Sequence, residues 1–284
     1  MPETIFECVI NVSEGRDMTT IDSLTIEGAP AIIDVQSDSD HNRSVLTLAG
    51  CKDDLQAAVR RVAEAAVAQI DIRTHSGAHP RLGALDVVPF VDLSELTGRQ
   101  NHADVTTAMR DSFAWWASKS LGLPCFVYGD ERSLPEVRRN AWRSLDPDYG
   151  PVRPHPSAGA AAVGSRPVLV AYNLWLTDPD LAAARRVAAE VRSPAVRTLG
   201  LAVGSHVQVS CNLIAPFAVG PGMVYDQVAW RMPVERAELV GLVPRAVLHA
   251  ERRTRWEQLA LSEGVTIEAR LEKAGLDGGR FCAG

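Results

Sequence analysis

The stretch His75–Asp86 gathers several side chains that can transfer protons or bind ions. It contains two imidazoles, one guanidinium, one carboxylate and two glycines, and the apolar segment Val87–Val91 follows at once. Polar groups at the mouth of a buried strand are held rigidly enough to line a cavity. The stretch is therefore a candidate active site.

His79 is the candidate catalytic residue of this stretch. It lies between Ala78 and Pro80, and proline restricts the preceding residue to extended geometry. An imidazole titrates near neutrality and is the commonest general acid or base. The alternative is a structural loop histidine that donates to a backbone carbonyl, and the His-Pro dipeptide alone does not separate the two.

Arg81 and Asp86 carry the charges of the stretch. The guanidinium of Arg81 matches a substrate carboxylate bidentately, and a salt bridge to Asp86 or another acid is the alternative. Asp86 stands inside an apolar run, where a carboxylate needs a partner. It is therefore a candidate for orienting His79 or Arg81.

Two further segments could line the same cavity. The polar cluster Gln36–Arg43 is either a functional loop or a solvated hairpin turn, and Asn42 and Arg43 stand where a strand should begin. The glycine-alanine stretch Gly159–Gly164 has side chains so small that its backbone amides could approach a flat or anionic ligand. It has neither a dinucleotide-binding glycine pattern nor a P-loop lysine, and no spacing in the chain favours a metal site.

Composition and charge exclude several classes of protein. The net charge of −6 over 284 residues argues against nucleic-acid binding, for which a basic excess supplies the affinity. No apolar run approaches the ~18 residues of a membrane span, and Met1–Thr4 shows no signal-peptide pattern. The five scattered cysteines form neither a disulfide framework nor a zinc motif. We therefore expect a cytoplasmic protein that binds small molecules.

The pattern of apolar residues predicts an α+β fold with two subdomains. Strand pairs alternate with strand-helix-strand units, which indicates mixed or antiparallel sheets covered by helices. A proline-rich connector over residues 130–157 gives way to a new strand near Pro167, so we place the subdomains at 1–166 and 167–284. The second shows the strand and helix order of a ferredoxin-like fold, and the first resembles a larger variant of it.

Several segments, taken together, carry a family resemblance. They are His75–Asp86, Glu7–Gly15, Asn42–Val45, Tyr149–Pro151, Pro156–Gly159, Gly164–Arg166, Gln208–Leu213 and Leu239–Pro244. These segments resemble the formiminotransferase family, the folate-dependent glutamate formimidoyltransferases. Because they are spread in order over nearly the whole chain, the resemblance is more specific than any single motif.

The resemblance implies a reaction and a set of site residues. The family transfers a formimino group from N-formimino-L-glutamate to N5 of tetrahydrofolate, its co-substrate, and its members are usually homodimers of two-subdomain chains. Its catalytic histidine falls on His79. The folate-contacting loop of the family falls on 157–166, and the cyclodeaminase unit of the bifunctional animal enzymes is not expected here. The binding residues implied in this way are Asn42, Arg43, Arg81, Asp86, Ser157, Gly159, Gly164, Ser165 and Arg166.

Three positions depart from the family pattern. Ala78 stands where the animal enzymes have glutamate, Gln36 where they have aspartate, and Ala158 where they have a tryptophan. Losing two carboxylates beside a cationic formimino group favours two alternatives. One is a related one-carbon transferase with a different donor, and the other is a non-catalytic folate-binding paralogue.

Overall fold

A computed structural model describes residues 4–78, 80–99 and 102–276 of the chain. The described residues form two units, the first comprising residues 4–166 with 275–276 and the second spanning Pro167–Ala274. Each unit has a β-sheet, helices packed on it and a hydrophobic core of its own. The predicted α+β fold class is therefore confirmed.

The first unit has six strands in the order β2-β3-β1-β4-β6-β5. The pairs of β6 with β4 and with β5 are parallel, and the other pairs are antiparallel. The strands are β1 Phe6–Val12, β2 Ile32–Asp38, β3 Arg43–Gly50, β4 Leu85–Asp92, β5 Cys125–Tyr128 and β6 Ala161–Ser165. The helices of this unit are α1 Met18–Gly28, α2 Lys52–Gln69, α3 Ala103–Ser120 and α4 Leu134–Asn140.

Alternation along the strands divides this sheet into an apolar and a polar face. Phe6, Cys8, Ile10 and Val12 of β1 are buried in the core with α1, α2 and α3. Successive side chains of a strand point to opposite faces. Residues between the core positions of β1, β2 and β3 therefore share the other face. We call this the polar face; it carries Glu7, Asn11, Asp34, Gln36, Arg43 and Thr47.

The second unit has the strand order β10-β7-β9-β8, with every pair antiparallel. This is the sheet order of a ferredoxin-like fold, as the sequence predicts. Its strands are β7 Val170–Leu176, β8 Val196–Val203, β9 His206–Leu213 and β10 Val234–Val240. Its helices are α5 Leu181–Val191, α6 Pro221–Ala229, α7 Arg245–Ala250 and α8 Ile267–Lys273.

One part of the predicted loop over 157–166 is wrong. Ala161–Ser165 forms β6, which lies between β4 and β5. Its backbone is paired on both sides and cannot also present amides to a ligand. At Gly164 a Cβ would lie 2.1 Å from Cζ of Tyr128, so the absence of a side chain is required by packing.

The cysteines only partly follow the expectation from composition. Cys8, Cys125 and Cys211 are free and buried, as small apolar core residues should be. Cys51, which precedes α2, is disulfide-bonded, contrary to that expectation. Cys282 lies outside the described residues. Among the described residues, no helix is both long and apolar enough to cross a membrane.

Candidate active site

His79 lies outside the described residues, but the residues on either side of it are placed. The backbone amide of Ala78 donates to the carbonyl of Asp40 at 3.4 Å, and the carbonyl of Pro80 accepts from Arg138 at 2.7 Å. The stretch predicted to be catalytic therefore runs between the β2–β3 turn and helix α4.

Asn42 fixes the β2–β3 turn to two other segments. It is buried and has a positive φ of 47°, a conformation that asparagine tolerates better than most residues. Its Oδ1 accepts from the amide of Gly15 at 2.9 Å, and its Nδ2 donates to the carbonyl of Ser76 at 3.1 Å. Both ends of the side-chain amide thus bind protein groups, which gives Asn42 a positioning role in the site.

His75 is a positioning residue as well. Its Nε2 lies 3.0 Å from the carbonyl of Asn42, and Nη1 of Arg81 contacts both ring nitrogens. Burial and the charge of Arg81 lower the pKa of His75. The ring is therefore neutral at neutral pH.

Asp86 has different partners from those predicted. It is 2% exposed, and its oxygens accept from the amide of Leu82 and from Nη2 of Arg138, each at 2.6 Å. Arg81 instead contacts the ring of His75 and the carbonyl of His41. The predicted alternative of an Arg81–Asp86 salt bridge is replaced by the ion pair of Asp86 with Arg138.

Arg43, Arg81, Arg138 and Asp86 form a charged cluster at this site. Arg43 lies near Asp86, Arg138 and Arg81, and its guanidinium donates to Oδ1 of Asn11. Burial lowers the pKa of Arg43 to about 10, with Asp86 opposing and the other two arginines assisting that shift. The buried Nε of Arg43 has no hydrogen-bond partner within the described part of the chain. Guanidiniums gathered around Asp86 can bind an anionic group such as a carboxylate.

Ser157 and Gly159 lie beside the candidate catalytic stretch. The carbonyl of Ser157 accepts from the amide of Ile72 at 2.9 Å. Gly159 has φ +70° and forms a bridge with Gly83, and a Cβ on it would lie 2.4 Å from the carbonyl oxygen of Leu82. Only glycine fits this close approach. The neighbouring Ala158 is fully buried in the core, so its side chain does not face a ligand.

Gly164, Ser165 and Arg166 lie at the other end of β6. The hydroxyl of Ser165 is 2.7 Å from that of Thr106 in α3, and the amide of Arg166 donates to the carbonyl of Phe90. The length of β6 separates this group from Gly159 by more than ~13 Å, at 3.3 Å per residue. Most of the predicted site residues therefore lie near the end of the sheet where β6 begins. Gly164, Ser165 and Arg166 lie near the end where β6 stops.

Arg138 is the site residue that sequence reasoning missed. It belongs to α4, which the sequence predicts near Leu134–Trp142 but inside a connector with no assigned role. The contact with Asp86 spans 52 residues, and no local pattern encodes it. The sequence signal that could have indicated Arg138 is Asp86, because a carboxylate within an apolar run requires a partner.

Comparison with known proteins identifies the family. A model of the formiminotransferase domain, N-terminal subdomain, matches residues 5–166. A glutamate formimidoyltransferase of Streptococcus pyogenes serotype M1 is 30% identical over 275 residues, covering 86% of this chain and 90% of that protein. A glutamate formimidoyltransferase of Thermoplasma acidophilum is 28% identical and covers 95% and 98%. The formimidoyltransferase-cyclodeaminase of Sus scrofa is 31% identical, with 87% of this chain aligned to 51% of that protein. The chain belongs to the formiminotransferase family.

Proposed function

We propose that this chain transfers a formimino group from N-formimino-L-glutamate to N5 of tetrahydrofolate. The observation that carries the proposal is its similarity to the Streptococcus glutamate formimidoyltransferase along 90% of the length of that enzyme. The protein is a transferase with tetrahydrofolate as co-substrate.

The charge of the site supports an acidic amino acid as donor. Arg43, Arg81 and Arg138 lie around the buried carboxylate of Asp86. Arg138 is already engaged by Asp86, which leaves the Nε of Arg43 as a buried donor without a partner among the described residues. We assign Arg43 and Arg81 to a carboxylate of the donor, because a planar guanidinium binds a carboxylate more specifically than an ammonium does.

The length of the sheet supports an extended second ligand. The two groups of predicted site residues lie at opposite ends of β6. The polar face extends along the strands between these two ends of the sheet. An elongated molecule such as tetrahydrofolate can reach from one end of the strands to the other. The assignment of Ser157, Gly159, Ser165 and Arg166 to folate is part of the proposal, whereas Gly164 is assigned to packing against Tyr128.

His79 supplies the general acid and base. As N5 of tetrahydrofolate bonds to the formimino carbon, the imidazole accepts the N5 proton. It returns this proton to the glutamate nitrogen as the bond from carbon to that nitrogen breaks. One group with a pKa near the working pH can perform both steps.

The test is transfer by the purified protein, with His79→Ala as the decisive variant. We expect a loss of roughly 10²- to 10⁴-fold in kcat, the usual contribution of one general acid or base. His206→Ala removes an exposed histidine of the second unit and serves as the matched control. Unchanged activity in His79→Ala would remove that residue from the mechanism, and no transfer by the wild-type protein would refute the function.

Ala78 and Gln36 favour one alternative, a transferase with a different one-carbon donor. The amide of Gln36 donates to Oδ2 of Asp34 at 3.2 Å, so a carboxylate remains two residues from the position where the family pattern has one. We therefore retain formiminoglutamate as the donor. Competition between formiminoglutamate, formiminoaspartate and a formyl donor tests this choice, and preferential use of either competitor would overturn it.

The assembly and location of the protein are further parts of the proposal. The family resemblance supports a homodimer, which light scattering on the purified protein tests directly. A cytoplasmic location is supported by the free thiols of Cys8, Cys125 and Cys211, whereas the disulfide of Cys51 weighs against it. Trapping of free thiols in intact cells, with Cys51 found reduced, would support the cytoplasm.

A further inference from the structure

His155 opens a tight turn beside the candidate catalytic stretch. The amide of His155 donates to the carbonyl of Gly159 at 2.7 Å, and the amide of Gly159 donates to the carbonyl of His155 at 3.0 Å. Pro156, Ser157 and Ala158 complete the turn between these two bonds. We call this segment the 155–159 turn.

The ring of His155 binds the amides that remain inside this turn. Its Nδ1 accepts from the amide of Ala158 at 3.0 Å, and the amide of Ser157 donates to the same nitrogen at 3.4 Å. The third residue of the turn, Pro156, has no amide proton. Asparagine and aspartate form the same arrangement when a side-chain oxygen accepts from amides a few residues further along the chain. His155 therefore closes its own turn with a side-chain acceptor.

The 155–159 turn is bonded to the backbone on both sides of the candidate catalytic residue. The carbonyl of Ser157 accepts from the amide of Ile72 at 2.9 Å. The carbonyl of Ala158 accepts from the amide of Ala84, also at 2.9 Å. Ile72 precedes the candidate catalytic stretch, and Ala84 lies near its end. The turn thus links residues assigned to folate with the backbone that frames His79.

The shape of this turn depends on the imidazole. The amide of Ala158 has Nδ1 of His155 as its acceptor, and Ala158 has no exposed surface, so water cannot readily take the place of the ring. A buried amide is almost always paired, because leaving it unpaired costs the free energy of a lost hydrogen bond. The place of Ser157 in the turn therefore depends on the acceptor that His155 supplies.

We propose that His155 is a positioning residue for tetrahydrofolate. Its Nδ1 fixes the turn that carries Ser157 and Gly159, and the turn sets the place of folate relative to the stretch that carries His79. The proposal rests on the proposed function, because it takes Ser157 and Gly159 as part of the folate site. His155 acts through the turn and takes no part in the proton transfer.

Two substitutions separate the acceptor of His155 from its ring. His155→Phe keeps a planar ring without an acceptor, whereas His155→Asn loses the ring and keeps an acceptor, Oδ1, as many bonds from Cβ as Nδ1 is. We expect the Kd of tetrahydrofolate, measured anaerobically without donor, to rise roughly 5- to 10-fold in His155→Phe, the effect of losing one or two hydrogen bonds. His155→Asn should bind within about 2-fold of wild type. Equal affinities of His155→Phe and wild type, or the reverse order of the two variants, would overturn the proposal.

Steady-state kinetics distinguish the positioning of folate from a general loss of structure. In His155→Phe, KM for tetrahydrofolate should rise by a factor similar to that of Kd, while KM for the donor should keep its wild-type value. His249→Phe makes the same change at an exposed histidine of α7 and should alter neither constant. An equal rise of both KM values in His155→Phe would indicate a structural role and overturn the proposal.

A third substitution keeps the test decisive if His155→Phe does not fold. His155→Gln places its acceptor one bond further from Cβ, so it cannot close the turn as His155→Asn does. It should bind tetrahydrofolate less tightly than His155→Asn, and equal affinity of these two variants would overturn the proposal. Wild type that neither binds tetrahydrofolate nor transfers a formimino group would refute the proposed function. Binding by wild type that His155→Phe retains would refute only this inference.

Discussion

Arg138 shows how a single side chain can hold a site together from a distant element. It neutralises Asp86, which is almost fully buried, and its other nitrogen binds the carbonyl of Pro80 next to His79. The ion pair thus ties α4 to the start of β4 and to the candidate catalytic stretch. Removing this ion pair should therefore lower the free energy of unfolding, whatever its effect on catalysis.

Arg138→Leu should destabilise the protein by about 3 kcal/mol, because it leaves a buried carboxylate without its cation. The free energy of unfolding in urea measures this loss. Arg139→Leu changes the exposed neighbour and should cost less than about 0.5 kcal/mol. Equal effects of the two variants would mean that the Asp86 pair contributes nothing specific.

Glu7 should give the ligand-free protein a dependence of stability on pH. Burial raises its pKa from 4.5 to about 7, so the folded protein retains a proton that the unfolded chain releases. Protonated Glu7 therefore contributes stability that is complete below about pH 4.5 and is lost as the pH rises through about 7. The loss is on the order of 3 kcal/mol, at 1.36 kcal/mol for each pKa unit.

Urea unfolding of wild type and Glu7→Gln from pH 4.5 to 8 measures this contribution as a difference. The advantage of the variant over wild type should grow with pH across this range. A constant difference would contradict the raised pKa. Glu64→Gln, at an exposed position of α2, serves as the control, because an exposed carboxylate should add no such slope.

Strand β6 is the part of the first unit that sequence patterns do not reveal. The apolar run Phe6–Val12, closed by the turn residues 13–17, predicts β1 with its observed bounds, and apolar residues at three- and four-residue spacing over 53–70 predict α2. The five residues Ala161–Ser165 are small, so they carry no hydrophobic periodicity that separates a strand from a loop. Packing against β4 and β5 decides their structure.

Gly164→Ala tests the packing of this strand. The added Cβ would overlap the ring of Tyr128, which is itself buried, and overpacking of this kind typically costs about 1–3 kcal/mol. Gly50→Ala adds the same methyl group in β3, where the nearest atom is 3.7 Å away. Chemical denaturation should show a clear loss for the first variant and little change for the second. An unaffected Gly164→Ala would mean that Tyr128 moves freely.

The two units have separate hydrophobic cores. Leu174 is fully buried in the core of the second unit, whereas Ile10 is fully buried in that of the first. Leu174→Ala should lower the opening free energy of amides in β9 by about 2–5 kcal/mol and that of amides in β1 by less. Native-state hydrogen exchange measures both. An equal loss in the two strands would indicate a single cooperative unit.

The sequence predicts the two-unit organisation better than the site. Alternating strands and helices, with a proline-rich connector, are local signals, and they are enough for the fold class. The site depends on contacts between distant segments, such as Arg138 with Asp86 and Asn42 with Ser76. Such contacts have no local pattern, so the partners within the segments that the family resemblance names become visible only in three dimensions.

The position of β6 has a consequence for synthesis of the chain. It is the last strand of the first unit in sequence, yet it lies between β4 and β5. When β4 leaves the ribosome, one of its edges therefore stays without a neighbour until β6 emerges. Those roughly 70 residues take roughly 4–15 s to make at typical rates of 5–20 residues per second. An unpaired edge strand is a template for wrong pairing, so this interval is when a nascent chain is most exposed to aggregation.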